Sequence, residues 1–151
     1  MKEILLLHGP NLNALGRRDP EIYPRITLPE LEARVRAWAG ERRWGLRAFQ
    51  SNSEGALIDA LQEATDWAAG ALVNLGALTH SSYALHDALL DLSRPVIEVH
   101  LSAISQREPW RRVSVIRPAC RGFVEGRGVE GYRLALDLLA AAVAEDEEGE
   151  R

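Results

Sequence analysis

The chain of 151 residues has one lysine, one cysteine and one methionine, and each scarcity narrows the chemistry open to it. Lys2 stands at the start of the first apolar run, away from the sheet edge where α/β proteins place their ligands. Schiff-base chemistry and a phosphate-loop lysine are therefore not expected. Cys120 has no partner for an internal disulfide, which fits a reducing cytoplasm and a small packing residue. No signal-peptide pattern and no apolar run of bilayer length is present, so no membrane partner is expected. The net charge is −4, and five of the acids fall in the segment Glu145–Glu150. Nucleic acid is accordingly not an expected partner. Neither a G-x-G-x-x-G fingerprint nor a G-x-S-x-G elbow occurs. His8, His80, His86 and His100 show no H-x-H or H-x-x-x-H spacing, so no metal is expected either.

What is present is an alternation of strand and helix signals. Glu3–Leu7 is a near-continuous apolar run, the pattern of a strand buried on both faces. A long loop rich in Gly, Pro, Asn and Arg follows, and residues 12–25 are expected to act as a mobile lid. Thr27-Leu28-Pro29-Glu30 is a capping box, after which Leu28, Leu31, Val35 and Trp38 recur at helical spacing to about Arg43. Leu46–Ser51 reads as a second strand, Ser53 as the cap of a helix striped by Leu57, Ile58, Leu61, Ala64 and Ala68. Ala71–Leu75 is a third strand; Ser81 or Ser82 caps a helix to Leu92. Pro95–Leu101 is a fourth, Gly122–Glu125 a weak fifth, and Glu130–Ala144 a final helix. Five such units predict one domain, residues 1–144, with a three-layer flavodoxin-like fold and a five-stranded parallel sheet. Residues 145–151 are expected to be a disordered acidic tail.

The fourth strand, RPVIEVHLS, carries Glu98 and His100 within an apolar run. Side chains alternate along a strand, so Glu98, His100 and Ser102 share one face. A buried carboxylate is costly unless paired, and a pair that merely satisfies itself inside a core remains one reading. The other is a carboxylate that orients a histidine toward a substrate. In parallel sheets ligands bind outside the carboxyl ends of the strands. Asn11 and Asn13 follow strand one, Asn74 and His80 strand three, and His100 and Ser102 end strand four. That convergence favours acid–base chemistry on an anionic, hydroxylated small molecule, with arginines to hold a carboxylate. Tyr23, in the loop just after Arg17 and Arg18, has a phenol whose pKa of about 10 nearby guanidinium charge would lower toward a usable base. A flavodoxin-like ligand-binding module, a flavin binder among the possibilities of that fold, is the alternative outside enzymes, and a cofactor-free lyase for another polyhydroxylated carboxylate the alternative within them.

The segments GPNLNALGRRDPEIY (9–23), NLGALTHSSYALHDAL (74–89), IEVHLS (97–102), REPWRR (107–112) and GYRLAL (131–136) together resemble the type II 3-dehydroquinate dehydratases over nearly the whole chain. The resemblance implies a flavodoxin-like fold, dehydration of 3-dehydroquinate to 3-dehydroshikimate in the shikimate pathway, and no cofactor or metal. By matching position, Tyr23 is the base at C2, Arg18 holds it toward its phenolate form, and Asn11 helps stabilise an enolate. His100, oriented by Glu98, protonates the departing C1 hydroxyl. Asn74, His80, Ser102, Arg111 and the Leu101 backbone bind the carboxylate and hydroxyls, with Arg107 as a second cation near the tyrosine. Asp87 reaches a neighbouring subunit's substrate, since the family builds dodecamers from trimers. Pro24, His86, Ala103, Ser105 and Asp19 depart from the family pattern, and none of them removes a catalytic group. Pro24 should stiffen the lid.

Overall fold

A computed structural model of the chain describes residues 1–22 and 24–150. Five parallel strands run in the order β2-β1-β3-β4-β5, with β1 at Glu3–His8, β2 at Gly45–Gln50, β3 at Ala68–Asn74, β4 at Val96–His100 and β5 at Gly122–Glu125. Helices α1 (Leu28–Glu41) and α4 (Glu130–Gly149) cover one face; α2 (Glu54–Ala64) and α3 (Tyr83–Asp91) cover the other. This is the expected three-layer flavodoxin-like architecture.

Strand alternation feeds both layers. Ile4 and Leu6 of β1 pack with Leu31 and Val35 of α1 and with Leu136 and Leu139 of α4. Leu5 and Leu7 turn the other way, onto Leu57 and Leu61 of α2 and Leu85 and Leu89 of α3. A strand sandwiched in this manner has to be apolar at successive positions, which is why β1 reads as an unbroken run. Ile97 and Val99 of β4, with Leu101 just beyond it, join the α1/α4 layer, while Val96 joins the α2/α3 layer. Glu98 and His100 therefore project to the α2/α3 side, at the end of the sheet where β4 runs out.

Caps set the helix starts. Thr27 Oγ1 accepts from the Glu30 amide at 3.3 Å and donates to the Glu30 carboxylate at 2.9 Å, so here the glutamate grips the capping hydroxyl. Ser53 accepts from Ala56 N at 3.3 Å, and Ser82, of the two candidates, caps α3 through Leu85 N at 3.0 Å. α1 stops two residues before the expected end because Arg43 adopts a left-handed conformation (φ 61°) and Trp44 N turns back to Ala39 O at 3.0 Å.

One expectation is corrected. The acidic stretch from Glu145 is not a disordered tail: α4 continues through it to Gly149. Carboxylates oppose the dipole at a helix C-terminus, but cations from elsewhere meet them. Arg121 reaches Asp146 at 2.7 Å and Glu145 at 3.0 Å, and Lys2 reaches Glu147 at 2.7 Å. Among the described residues no helix is long and apolar enough to cross a membrane.

Candidate active site

The strand order reverses between β1 and its two neighbours, β2 and β3, so the loops leaving β1 and β3 diverge and open a crevice at their carboxyl ends. Two glycines let the first residues of these loops pass closely before they part. A Cβ on Gly9 would lie 2.4 Å from the Leu75 backbone carbonyl, and Gly76, at φ +57°, would bring one within 2.7 Å of Pro10 O. Gly9 N donates to Asn74 O at 2.7 Å, and the Asn74 side-chain oxygen accepts from Gly76 N at 3.2 Å. Asn74 is thus locked at the crevice floor.

Arg18, Asn74, His80, His100, Leu101, Ser102, Arg107 and Arg111 line one narrow cleft, with Leu12, Gly76 and Ile104 as its apolar or backbone wall. These eight belong to the expected set, and they come from four separate segments. Glu98 lies behind the cleft. Asn11 precedes it, in a left-handed conformation (φ 72°) with its amide on Asn52 Oδ1 at 2.9 Å. Asp87 sits on exposed α3, paired with His86 at 3.1 Å, and does not line the cleft. Tyr23 lies outside the described residues. A roomier surface concavity, lined by Glu3, Arg47, Arg94 and Glu147 among others, occupies the opposite end of the sheet and holds none of the site residues.

At the centre, His100 Nε2 bonds Glu98 Oε2 at 2.5 Å, with His100 only 4% exposed and Glu98 fully buried. A carboxylate can only accept here unless it is protonated, so the shared proton sits on Nε2 and Nδ1 is the nitrogen left for a ligand. Burial alone would raise the Glu98 pKa. Hydrogen bonds from His100 and from Arg117, whose Nε donates to Oε1 at 2.8 Å, more than offset it and bring the carboxyl down to about 2.

The rest of the cleft is cationic and oriented. His80 Nδ1 donates to Val113 O at 2.8 Å, and its ring meets the edge of Trp110 at 5.5 Å. Burial lowers its pKa, helped by the charges of His100 and Arg111, so the ring is held neutral with Nε2 as an acceptor. Arg111 lies over Trp110 and donates to Glu108 at 2.9 Å; Arg107 reaches the same carboxylate at 3.4 Å and Ser102 Oγ at 3.4 Å. Glu108 thereby holds both arginines. It was absent from the expected set, although its i, i+3 spacing to Arg111 was a visible signal. Arg117 was also missed, as were Gln50 and Asn52, whose amides pin the Gly9–Asn13 turn. Among the described residues, no group of three or more His, Cys, Asp or Glu is placed to hold a metal ion.

A flavodoxin-like α/β chain with a small, arginine-rich cleft built around a buried carboxylate–imidazole pair is an acid–base site for a compact polar anion. Comparison with known proteins makes this specific: the chain belongs to the type II dehydroquinase family, whose sequence model, described as dehydroquinase class II, matches residues 2–140. The 3-dehydroquinate dehydratase of Thermus thermophilus is 51% identical over 147 residues, covering 97% of this chain and 99% of that protein. That of Dictyoglomus turgidum is 50% identical over 139 residues, covering 92% and 96%. The crystal structure of the type II dehydroquinase from Butyrivibrio crossotus is similar with a TM-score of 0.89 at 40% identity, covering 92% of this chain and 97% of that one. The corresponding enzyme of Propionibacterium acnes gives 0.88 at 38% identity, covering 93% and 97%.

Proposed function

We propose that the chain carries out its family's reaction, elimination of water from 3-dehydroquinate to give 3-dehydroshikimate, by acid–base catalysis through an enolate. Tyr23, as phenolate, removes a proton from C2 beside the ketone. Arg18, on the cleft wall, stabilises that phenolate, and Asn11 helps stabilise the enolate oxygen. His100 donates its Nδ1 proton to the C1 hydroxyl; the C1–O bond breaks, water leaves, and the enolate electrons form the conjugated double bond. Glu98 orients the ring and offsets its positive charge. Asn74, His80, Ser102, Arg111 and the Leu101 backbone bind carboxylate and hydroxyls, and Arg107 adds a second cation beside the tyrosine.

The observation that carries this reading is the Glu98–His100 bond at the wall of a cleft also lined by three arginines. A mere binding module has no need of a histidine backed by an ionised, buried carboxylate. The roles of Tyr23 and Asn11 rest on matching motifs. Asp87, exposed on α3 and outside the cleft, suits contact with a neighbouring subunit's substrate in a dodecamer of trimers. We place the enzyme in the cytoplasm, where its single, half-buried thiol stays reduced. The direct test is to add protein to 3-dehydroquinate and follow the ultraviolet absorbance of the enone product. Absence of signal across a broad pH range would overturn the assignment.

A further inference from the structure

The carboxylate behind His100 has a second cation on it. Arg117, in the single-turn helix Arg117–Ala119, donates from Nε to Glu98 Oε1 at 2.8 Å while His100 occupies Oε2. The guanidinium is clamped on its other sides. Its Cζ lies 3.7 Å from the centroid of the Phe123 ring, and Nη2 is 3.6 Å from Glu125 Oε2. Glu125 in turn accepts from Ser105 Oγ, in the segment between Ser102 and Arg107. The backbone amide of Arg117 donates to Ser114 Oγ at 3.2 Å. Register explains the arrangement: Glu98 is opposite Phe123 and His100 opposite Glu125 across β4 and β5, so the arginine crosses this strand pair with an acid on each side. Arg117 does not line the cleft. Whatever it does for the reaction it does through Glu98.

We propose that Arg117 is a positioning residue: it fixes the Glu98 carboxylate behind His100 and supplies the charge that sets the pH range in which the pair works. This rests on the reading of His100 as the general acid. Ser114 also hydrogen-bonds this carboxylate, but a neutral hydroxyl alone leaves it freer to rotate, accept a proton and release the imidazole. With Oε1 held by a permanent cation, Glu98 has one orientation and stays ionised, and the imidazolium it backs keeps its Nδ1 toward the substrate. Other charged or titratable groups stand around the pair. His80 comes from the turn after β3, Cys120 from the turn before β5, and Arg18, Arg107 and Arg111 from the cleft wall. None of these makes the Oε1 contact. Cys120, its thiol pushed up to about 12 by burial and by Glu98, contributes no charge near neutrality.

The test compares R117M, R117K and E98Q for kcat, KM and the pH profile of kcat on 3-dehydroquinate, with thermal unfolding to verify the fold. Loss of a fixed positive charge makes neighbouring protons harder to remove. R117M should therefore lose at least about tenfold in kcat, the lower range for a supporting partner of a functional histidine. Its KM should stay within about twofold because the cleft lining is untouched, and its profile should move to higher pH. R117K should return the profile toward the wild type but recover only part of kcat, since an ammonium cannot reproduce the Nε bond and the stacking on Phe123. A folded R117M with wild-type kcat and profile, beside an impaired E98Q, overturns the role of Arg117 and leaves the acid–base reading standing. If E98Q also turns over normally, the acid–base reading fails and the role of Arg117 with it. Should R117M not fold, R117K decides. Reduced kcat at unchanged KM supports the role, and wild-type kcat overturns it.

Discussion

Glu98→Gln isolates the carboxylate charge while keeping nearly the same shape. In the wild type both carboxylate oxygens accept, Oε1 from Arg117 at 2.8 Å and Oε2 from His100 at 2.5 Å. A glutamine has one oxygen, and Arg117 can only donate, so the amide oxygen is drawn to Arg117 and the amide NH₂ faces His100. Nε2 of the ring must then accept, which places the neutral ring's proton on Nδ1. An imidazolium would oppose its own Nε2–H to the amide hydrogens, so the form able to donate Nδ1–H and remain a neutral ring is disfavoured. General-acid groups contribute about 10²–10⁴ in rate, and kcat should fall by that order with KM little changed. Stability gives a second readout. Glu98 titrates at about 2 against an ordinary 4.5, a difference that corresponds to about 3 kcal/mol in favour of the folded ionised form. A depressed carboxyl pKa stabilises fully above the unfolded value and loses its effect as pH falls through the folded one. The variant's Tm should thus lie on the order of 10 °C below wild type near neutrality, and the gap should narrow between about pH 4.5 and pH 2. Stopped-time ultraviolet assays and calorimetry measure both quantities. A variant with kcat within about threefold of wild type would refute the orienting role and return the pair to a purely structural one.

Tyr23→Phe should still bind substrate or product, while turnover falls by at least about two powers of ten; wild-type turnover would remove the proposed base. Arg18→Lys should lose part of the rate and move the tyrosine's titration in the free enzyme to higher pH, and an unchanged kcat/KM profile would count against the pairing. Gly9→Ala should fail to fold or lose the site, because the added methyl meets backbone at 2.4 Å and not a side chain that can move; normal thermal stability and activity would contradict the loop crossing. Cys120, with its thiol pushed up to about 12 by burial, should resist iodoacetamide in the folded protein at pH 8 and react after denaturation. Sedimentation should find the active form oligomeric, and a fully active monomer would dismiss a cross-subunit part for Asp87.

The division between what could and could not be read from the amino acids follows the range of the interactions involved. β1, β3 and β4 were legible because burial on both faces forces a run of apolar residues, and a polar residue at the end of such a run stands out. That contrast alone singled out Asn74, His100 and Ser102, which share one cleft. The pairing of Glu98 with His100 was likewise local, two positions apart on a single strand. Arg117 sits nineteen positions from Glu98 in a turn with no periodic pattern, and its other acid, Glu125, becomes its neighbour only once β5 is set beside β4 in register. Nothing in the stretch VIRPACRG distinguishes a half-buried, paired guanidinium from a solvated one. The end of α4 escaped for the same reason. A run of five acids read by itself is a frayed terminus, and it becomes helix only because Arg121 and Lys2, remote in sequence, are carried to it by the sheet. Short-range chemistry in this fold is therefore written in the chain. The charges that tune that chemistry are supplied across strands, where only the assembled sheet decides which acid meets which arginine.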